Sequence, residues 1–146
     1  MKHKFHFAST ALIIAVSFMG AALVWAAPSS KEELLETIKA SIAKKDAAAL
    51  KALCATENAD SELLAMSQAM IAQMASMKIK DISLVPLAAN FRPEEVVGNE
   101  VYKSNVNVLG EVCFKLDGDN NPTMSMPYGE KNGKFYIASS HKEKIN

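Results

Sequence analysis

Histidine is nearly missing from this chain. Two of its three histidines, His3 and His6, lie at the extreme N-terminus, and only His141 occurs beyond them. General acid–base work near neutral pH therefore falls to a carboxylate or a tyrosine with a displaced pKa. Net charge is missing too, with 16 basic residues against 16 acidic ones. That balance excludes a basic footprint for nucleic acid and a polybasic patch for a membrane surface. The two cysteines have no paired metal-site spacing, and the six glycines form no phosphate-cradling loop. No Ser–His pairing and no internal repeat is visible.

What is present begins at the N-terminus. Lys2 and Lys4 are the only Lys, Arg, Asp or Glu residues before Lys31, and Phe7 to Trp25 is apolar or small throughout. A basic start, an apolar run and a small-residue exit predict a secretory signal peptide over residues 1–26. Cleavage after Ala26 places Val24 and Ala26 in the small-residue subsites, whereas a cut one residue later leaves Pro28 leading. The alternative is an uncleaved anchor, because the run approaches the ~20 residues that a span needs. Its Ala, Ser and Gly content and the cleavage site favour removal, and no cysteine near the cut offers a lipid attachment. The expected product is a periplasmic or secreted domain of 120 residues, 27–146, carrying 14 basic and 16 acidic side chains, with no stable membrane insertion after cleavage.

Cys54 and Cys113 both fall in that domain. Export and an even count favour a disulfide between them. Periodicity favours two separate thiols: Val112, Phe114 and Leu116 alternate as one strand face, putting Cys113 on the other, while Cys54 follows Leu50 by one helical turn toward the core. Both readings stand at this level.

Ser30-Lys31-Glu32-Glu33 reads as a capping box, followed by Leu34, Leu35, Ile38 and Ile42 at helical spacing. Lys44-Lys45-Asp46 interrupts, and Ala47 to Ala55 forms a short second helix. Asp60 or Ser61 caps a third, running to about Met77, with an apolar arc of Leu63, Met66, Met70, Ile71, Met74 and Met77. Its far side, Ala65, Gln68, Ala69, Ala72, Gln73 and Ser76, carries no charge, which suggests packing against another helix or a second subunit.

From Lys78 the period changes to two. Strands are expected over Ile79–Leu87, Glu100–Val108, Glu111–Leu116, Thr123–Tyr128 and Phe135–Ser139, with a loop over Ala88–Asn99 and a polar tail from about Ser140. Lys131-Asn132-Gly133-Lys134 carries the Asn-Gly hairpin signal. Helices first and strands after predict an α+β domain, three N-terminal helices packed on a curved antiparallel sheet of four to five strands.

That order, with Lys45-Asp46-Ala47-Ala48-Ala49-Leu50 opening the second helix and Gly129-Glu130-Lys131-Asn132-Gly133-Lys134-Phe135-Tyr136-Ile137 in the last hairpin, resembles the nuclear-transport-factor-2-like (cystatin-like) superfamily, in particular its small secreted members of unknown function. The resemblance spans essentially the whole of 27–146 and implies a cone whose mouth can take a small molecule. It implies no catalytic set, because no residues here match the acidic, Tyr or His side chains of the family's enzymes.

Each chemical candidate has a plain structural reading beside it. Asp117-Gly118-Asp119-Asn120-Asn121 begins like a calcium loop, but Pro122 and Tyr128 stand where glycine and an acid belong, which favours a turn. The methionine stripe, with Met124 and Met126, has the softness for Cu(I), yet no histidine or cysteine lies nearby in sequence; core filler or an adaptable pocket is favoured, and no metal or cofactor is expected. Met66, Met70, Met74 and Met77, with Tyr102, Tyr128 and Tyr136, are the candidate pocket residues. Glu100 and Glu111 flank strands and are the carboxylates that could turn inward. The expected function is a non-enzymatic exported protein binding a small apolar ligand or partner segment in a cone-shaped pocket. The alternatives are an envelope module that homodimerises, through the back of the third helix or the outer sheet face, and a small isomerase- or hydrolase-like enzyme.

Overall fold

Ser30 starts the first helix by accepting a hydrogen bond from the Glu33 amide at 3.1 Å. The return arm of the box closes one residue earlier than the sequence suggests: the Glu33 carboxylate accepts from the Ser29 amide and hydroxyl, both at 2.7 Å. In this computed structural model, which describes residues 25–145, that helix is α1, Lys31–Ala43. Asp46 caps α2, Ala47–Ala52, through the Ala49 amide, and Asp60 caps α3, Ser61–Gln73, through the amides of Glu62 and Leu63. The predicted signal peptide lies almost wholly outside the described residues. Among those residues no helix is long and apolar enough to cross a membrane.

Seven strands follow among the described residues: β1 Ile79–Val85, β2 Glu94–Val97, β3 Glu100–Ser104, β4 Asn107–Leu116, β5 Thr123–Lys131, β6 Lys134–Ile137 and β7 Ser140–Lys144. They form two antiparallel sheets, a four-stranded one in the order β1-β4-β5-β6 and a three-stranded one in the order β2-β3-β7. The three helices and the four-stranded sheet are the α+β arrangement that the sequence predicts. Asn132 and Gly133, with φ of 53° and 74°, make the β5–β6 turn with both central residues left-handed, as a type I′ hairpin requires.

The core lies between the helices and one face of the larger sheet. Leu34, Ile38, Leu50, Leu53, Ile71 and Met74 meet Val112, Phe114, Met126, Tyr128 and Ile137, all buried. Their burial is the main stabilising term, each large side chain contributing about 1.5–3 kcal/mol. A second cluster, Ala55, Val106 and Ala138 with Val108 and Tyr136, forms where the two sheets join.

Several expectations differ from what forms, beginning with the ends of α2 and α3, which stop at Ala52 and Gln73 and not at Ala55 and Met77. The span Glu100–Val108 is two strands, because the chain changes sheet at Asn105. Asn105 is 7% exposed, not outward: its amide nitrogen donates to the carbonyls of Ala55 and Glu57, and its carbonyl accepts from the Ser139 amide at 2.9 Å. The polar residues from Ser140 do not hang free; they pair with β3 as β7. The segment before Gly98-Asn99 is in part a strand, β2, hairpinned to β3. Gly98 supplies the left-handed φ of 61° at the first turn position.

Candidate functional site

The α3 sequence sets its own orientation. Leu64, Ile71, Met74 and Ala75 turn toward the core, so Met66 and Met70 on the adjacent stripe stay 56% and 40% exposed. The expected arc is therefore split. Met74 is wholly buried, and Met77 lies beyond the helix, which ends at Gln73, and is exposed. Of the expected charge-free back, Gln68 and Ala72 are half-buried, while Ala65, Ala69, Gln73 and Ser76 face out.

Alternation and register place Glu95, Val97, Glu100, Tyr102, Ser104, Ser140 and Lys142 on one face of the three-stranded sheet. This face turns toward α3, and Lys142 reaches Glu62 across the gap at 3.8 Å. Between them runs a groove. Its outer section, about 440 Å³, is lined by Leu63, Met66 and Met70 of α3 facing Val97 and Tyr102. Its inner section, about 220 Å³, continues past Met70 and Tyr102 to Phe91, Ser104, Val108 and Ser139. Ser67, Met70, Glu95, Tyr102 and Ser140 line both. The lining is apolar with scattered hydroxyls, the mixture that small-molecule sites use. Arg92, the chain's sole arginine, stands at the inner section beside Pro93.

The candidate residues thus divide. Met66, Met70 and Tyr102 share the groove. Tyr128 and Met74 belong to the core, where Tyr128 is 4% exposed. Tyr136 packs in the small second cluster and lines a separate depression of about 140 Å³ with Glu57 and Lys131. Sequence reasoning missed Leu63 as a groove residue, and with it Val97, Ser104 and Ser139. The last three depend on the second sheet, whose hairpin was signalled only by Gly98-Asn99.

The electrostatics leave little for acid–base chemistry. Tyr102 donates its hydroxyl proton to Glu100 at 2.9 Å, and that bond, ahead of burial, raises its pKa, so the phenol keeps its proton. Glu111 lies on the face opposite Val112, away from the core. His141 contacts Glu143 at 3.1 Å on the outer face of the three-stranded sheet, where Lys103 also binds Glu143. Among the described residues no histidine or cysteine lines either section of the groove.

Cys54 and Cys113 are free thiols. Cys54 is 2% exposed beneath the sheet and bridges to Ile137, whereas Cys113 lies on the opposite face between Ser83 and Ser125. The offered disulfide is not formed, because the sheet itself separates the two sulfurs. In the β4–β5 loop, Asn120 and Asn121 adopt left-handed φ and Asn121 accepts from Lys80 at 3.0 Å, the geometry of a turn.

No protein-family model and no curated protein matches the chain. Three helices followed by antiparallel strands that curl round them is the order the resemblance implies. Among solved structures, the chain is similar to an NTF2-like transpeptidase from Campylobacter jejuni, at 15% identity over 74% of this chain and 97% of that one, with a TM-score of 0.37. It is also similar to a variant chain of NTF2 designation, at 14% identity over 75% and 95%, with a TM-score of 0.35. A SEC-C motif protein from Rhodopseudomonas palustris is similar at 14% identity over 83% of each chain, with a TM-score of 0.38. Likeness at this level brings none of those proteins' activities to this chain.

Proposed function

We propose that this chain is an exported, non-enzymatic binding protein that takes a small, mainly apolar ligand into the groove between α3 and the three-stranded sheet. The observation that carries the reading is the exposure of Met66 and Met70 in a groove that deepens past Tyr102 to buried Ser139. Met66 and Met70, one helical turn apart, make a contiguous exposed apolar strip of the kind that marks binding grooves, and their flexible thioethers adapt to varied apolar shapes. The hydroxyls of Ser67, Ser104 and Ser140 can each donate and accept, which suits a ligand with one small uncharged polar group. An enzymatic reading has Glu95 as its sole carboxylate in the lining, with no histidine beside it. The basic, apolar and small-residue pattern of residues 1–26 supports export.

The test uses N-phenyl-1-naphthylamine, an uncharged fluorophore, as the apolar probe. Cleavage after Ala26 removes the chain's one tryptophan, Trp25, so probe emission is read without its interference. The mature protein should bind the probe saturably at one site, and Met70→Lys should weaken binding at least tenfold. Met77→Lys, equally a change at an exposed methionine but outside the groove, should leave it unchanged. Equal loss in both variants, or unchanged binding in Met70→Lys, contradicts the assignment.

A further inference from the structure

The two sheets present four outer strands, and three of them are protected. β1 carries Lys80 and Asp81 with a register shift between Ile79 and Asp81. β6 is covered: the Ile137 amide donates to Leu53, its carbonyl accepts from Ala55, and the Phe135 amide donates to Pro28. β7 is charged along Lys142, Glu143 and Lys144. Charge, bulges and covering segments are the devices that keep edges from pairing. β2 carries Glu94 and Glu95 in its first half, but its second half, Val96 and Val97, is uncharged and 64% and 54% exposed, and no strand pairs with it on the side away from β3.

The direction of its backbone groups follows from one bond. The Pro93 carbonyl accepts from the Ser104 amide at 3.2 Å, so by antiparallel alternation residues 95 and 97 also bond toward β3. Glu94 and Val96 therefore aim their N–H and C=O groups outward.

We propose that a second copy of this chain pairs antiparallel with β2 about a two-fold axis at Val96, joining two three-stranded sheets into one of six strands. Like faces of the two sheets coincide only if the sum of the paired residue numbers is even, which leaves two central registers. Centred on Val96, each Val96 exchanges both backbone bonds with the Val96 of the second copy, and Glu95 lies opposite Val97. Centred on Glu95, two carboxylates meet on the close, non-bonded pair, which repels. The edge is thus complementary to itself in one register, the property an isologous contact needs. A contact built on four residues per copy is small, so association in the micromolar range is expected. This inference concerns a different face from the ligand groove's interior and stands whether or not the groove binds.

The experiment uses the mature chain with Cys113→Ser, which leaves Cys54 buried. Val96→Cys should form a covalent dimer under oxidised glutathione at tens of micromolar, because bonded antiparallel pairs stand about 5.5 Å apart at Cα, within disulfide reach. Glu95→Cys should cross-link at least tenfold more slowly. In sedimentation velocity the parent chain should shift toward dimer as concentration rises, and Val96→Pro, which lacks the outward amide, should stay monomeric with an unchanged circular dichroism spectrum. A monomer throughout, faster linking of Glu95→Cys, or β2 occupied by a different protein without self-linking overturns the proposal.

Discussion

Asn105 holds together the place where the chain passes from one sheet to the other. Its side chain satisfies two carbonyls on the segment after α2 and one amide at Ser139, and its own amide donates to Ser139. Asn105→Ala should strand two buried polar groups, the Ala55 carbonyl and the Ser139 amide, at about 1–3 kcal/mol each, while water can reach the Glu57 carbonyl, lowering stability by about 2–4 kcal/mol. The check is a lower urea midpoint with an unchanged slope. In the sequence Asn105 alternates with Val106 like any outward polar residue, and nothing local marks it as buried. Its partners lie 34 to 50 residues away, which is why this role could not be read from a window of neighbours. The burial of Cys54 was expected from a helical spacing that does not extend to it: α2 ends at Ala52, and Cys54 is buried where it bridges to Ile137. Burial pushes its thiol up to about 12 from an ordinary value near 9. The neutral form is the one the fold favours, so this contribution is intact below pH 9 and is lost as pH rises toward 12. At pH 8, iodoacetamide should label Cys113 in the native protein and Cys54 only after unfolding.

At the scale of elements, the helices were legible and the smaller sheet was not. Ser30, Asp46 and Asp60 are local caps, and local chemistry starts a helix wherever its partners happen to be. The β4–β5–β6 run was legible for the same reason, through the alternation of Val112 and Phe114 and the Asn132-Gly133 turn. β2 has no alternation of burial, since all four of its residues are exposed, and β7 is polar on both faces. Such strands exist because a neighbour pairs with them, and the neighbour is not written in their composition. This gap carried over to α3. Without the second sheet, Met66, Met70, Met74 and Met77 read as one stripe, core filler or pocket alike; with it, Met66 and Met70 border an open groove, while Ile71, Met74 and the residues beside them meet the core. The edge that β2 presents is likewise a property of the paired element, not of the sequence Glu-Glu-Val-Val alone.

The whole molecule joins a closed core to an open flank. One face of the four-stranded sheet is filled by the helices, so the cone that the resemblance implies is packed with side chains such as Phe114 and Tyr128. The accessible volume lies instead between α3 and the second sheet, bordered by Leu63, Met66, Met70 and Val97 and leading in to Ser104 and Ser139. A ligand there would cover apolar surface that the fold leaves exposed, without disturbing the core. The central claim is the proposed one, that the chain is exported and carries a ligand in this flank. Native mass spectrometry of the chain recovered from the exported fraction tests it most directly. The account predicts a mature mass beginning at Ala27 and an apolar adduct that is released on denaturation and absent from Met70→Lys. A bare chain in both proteins, or an adduct that Met70→Lys retains, would contradict it.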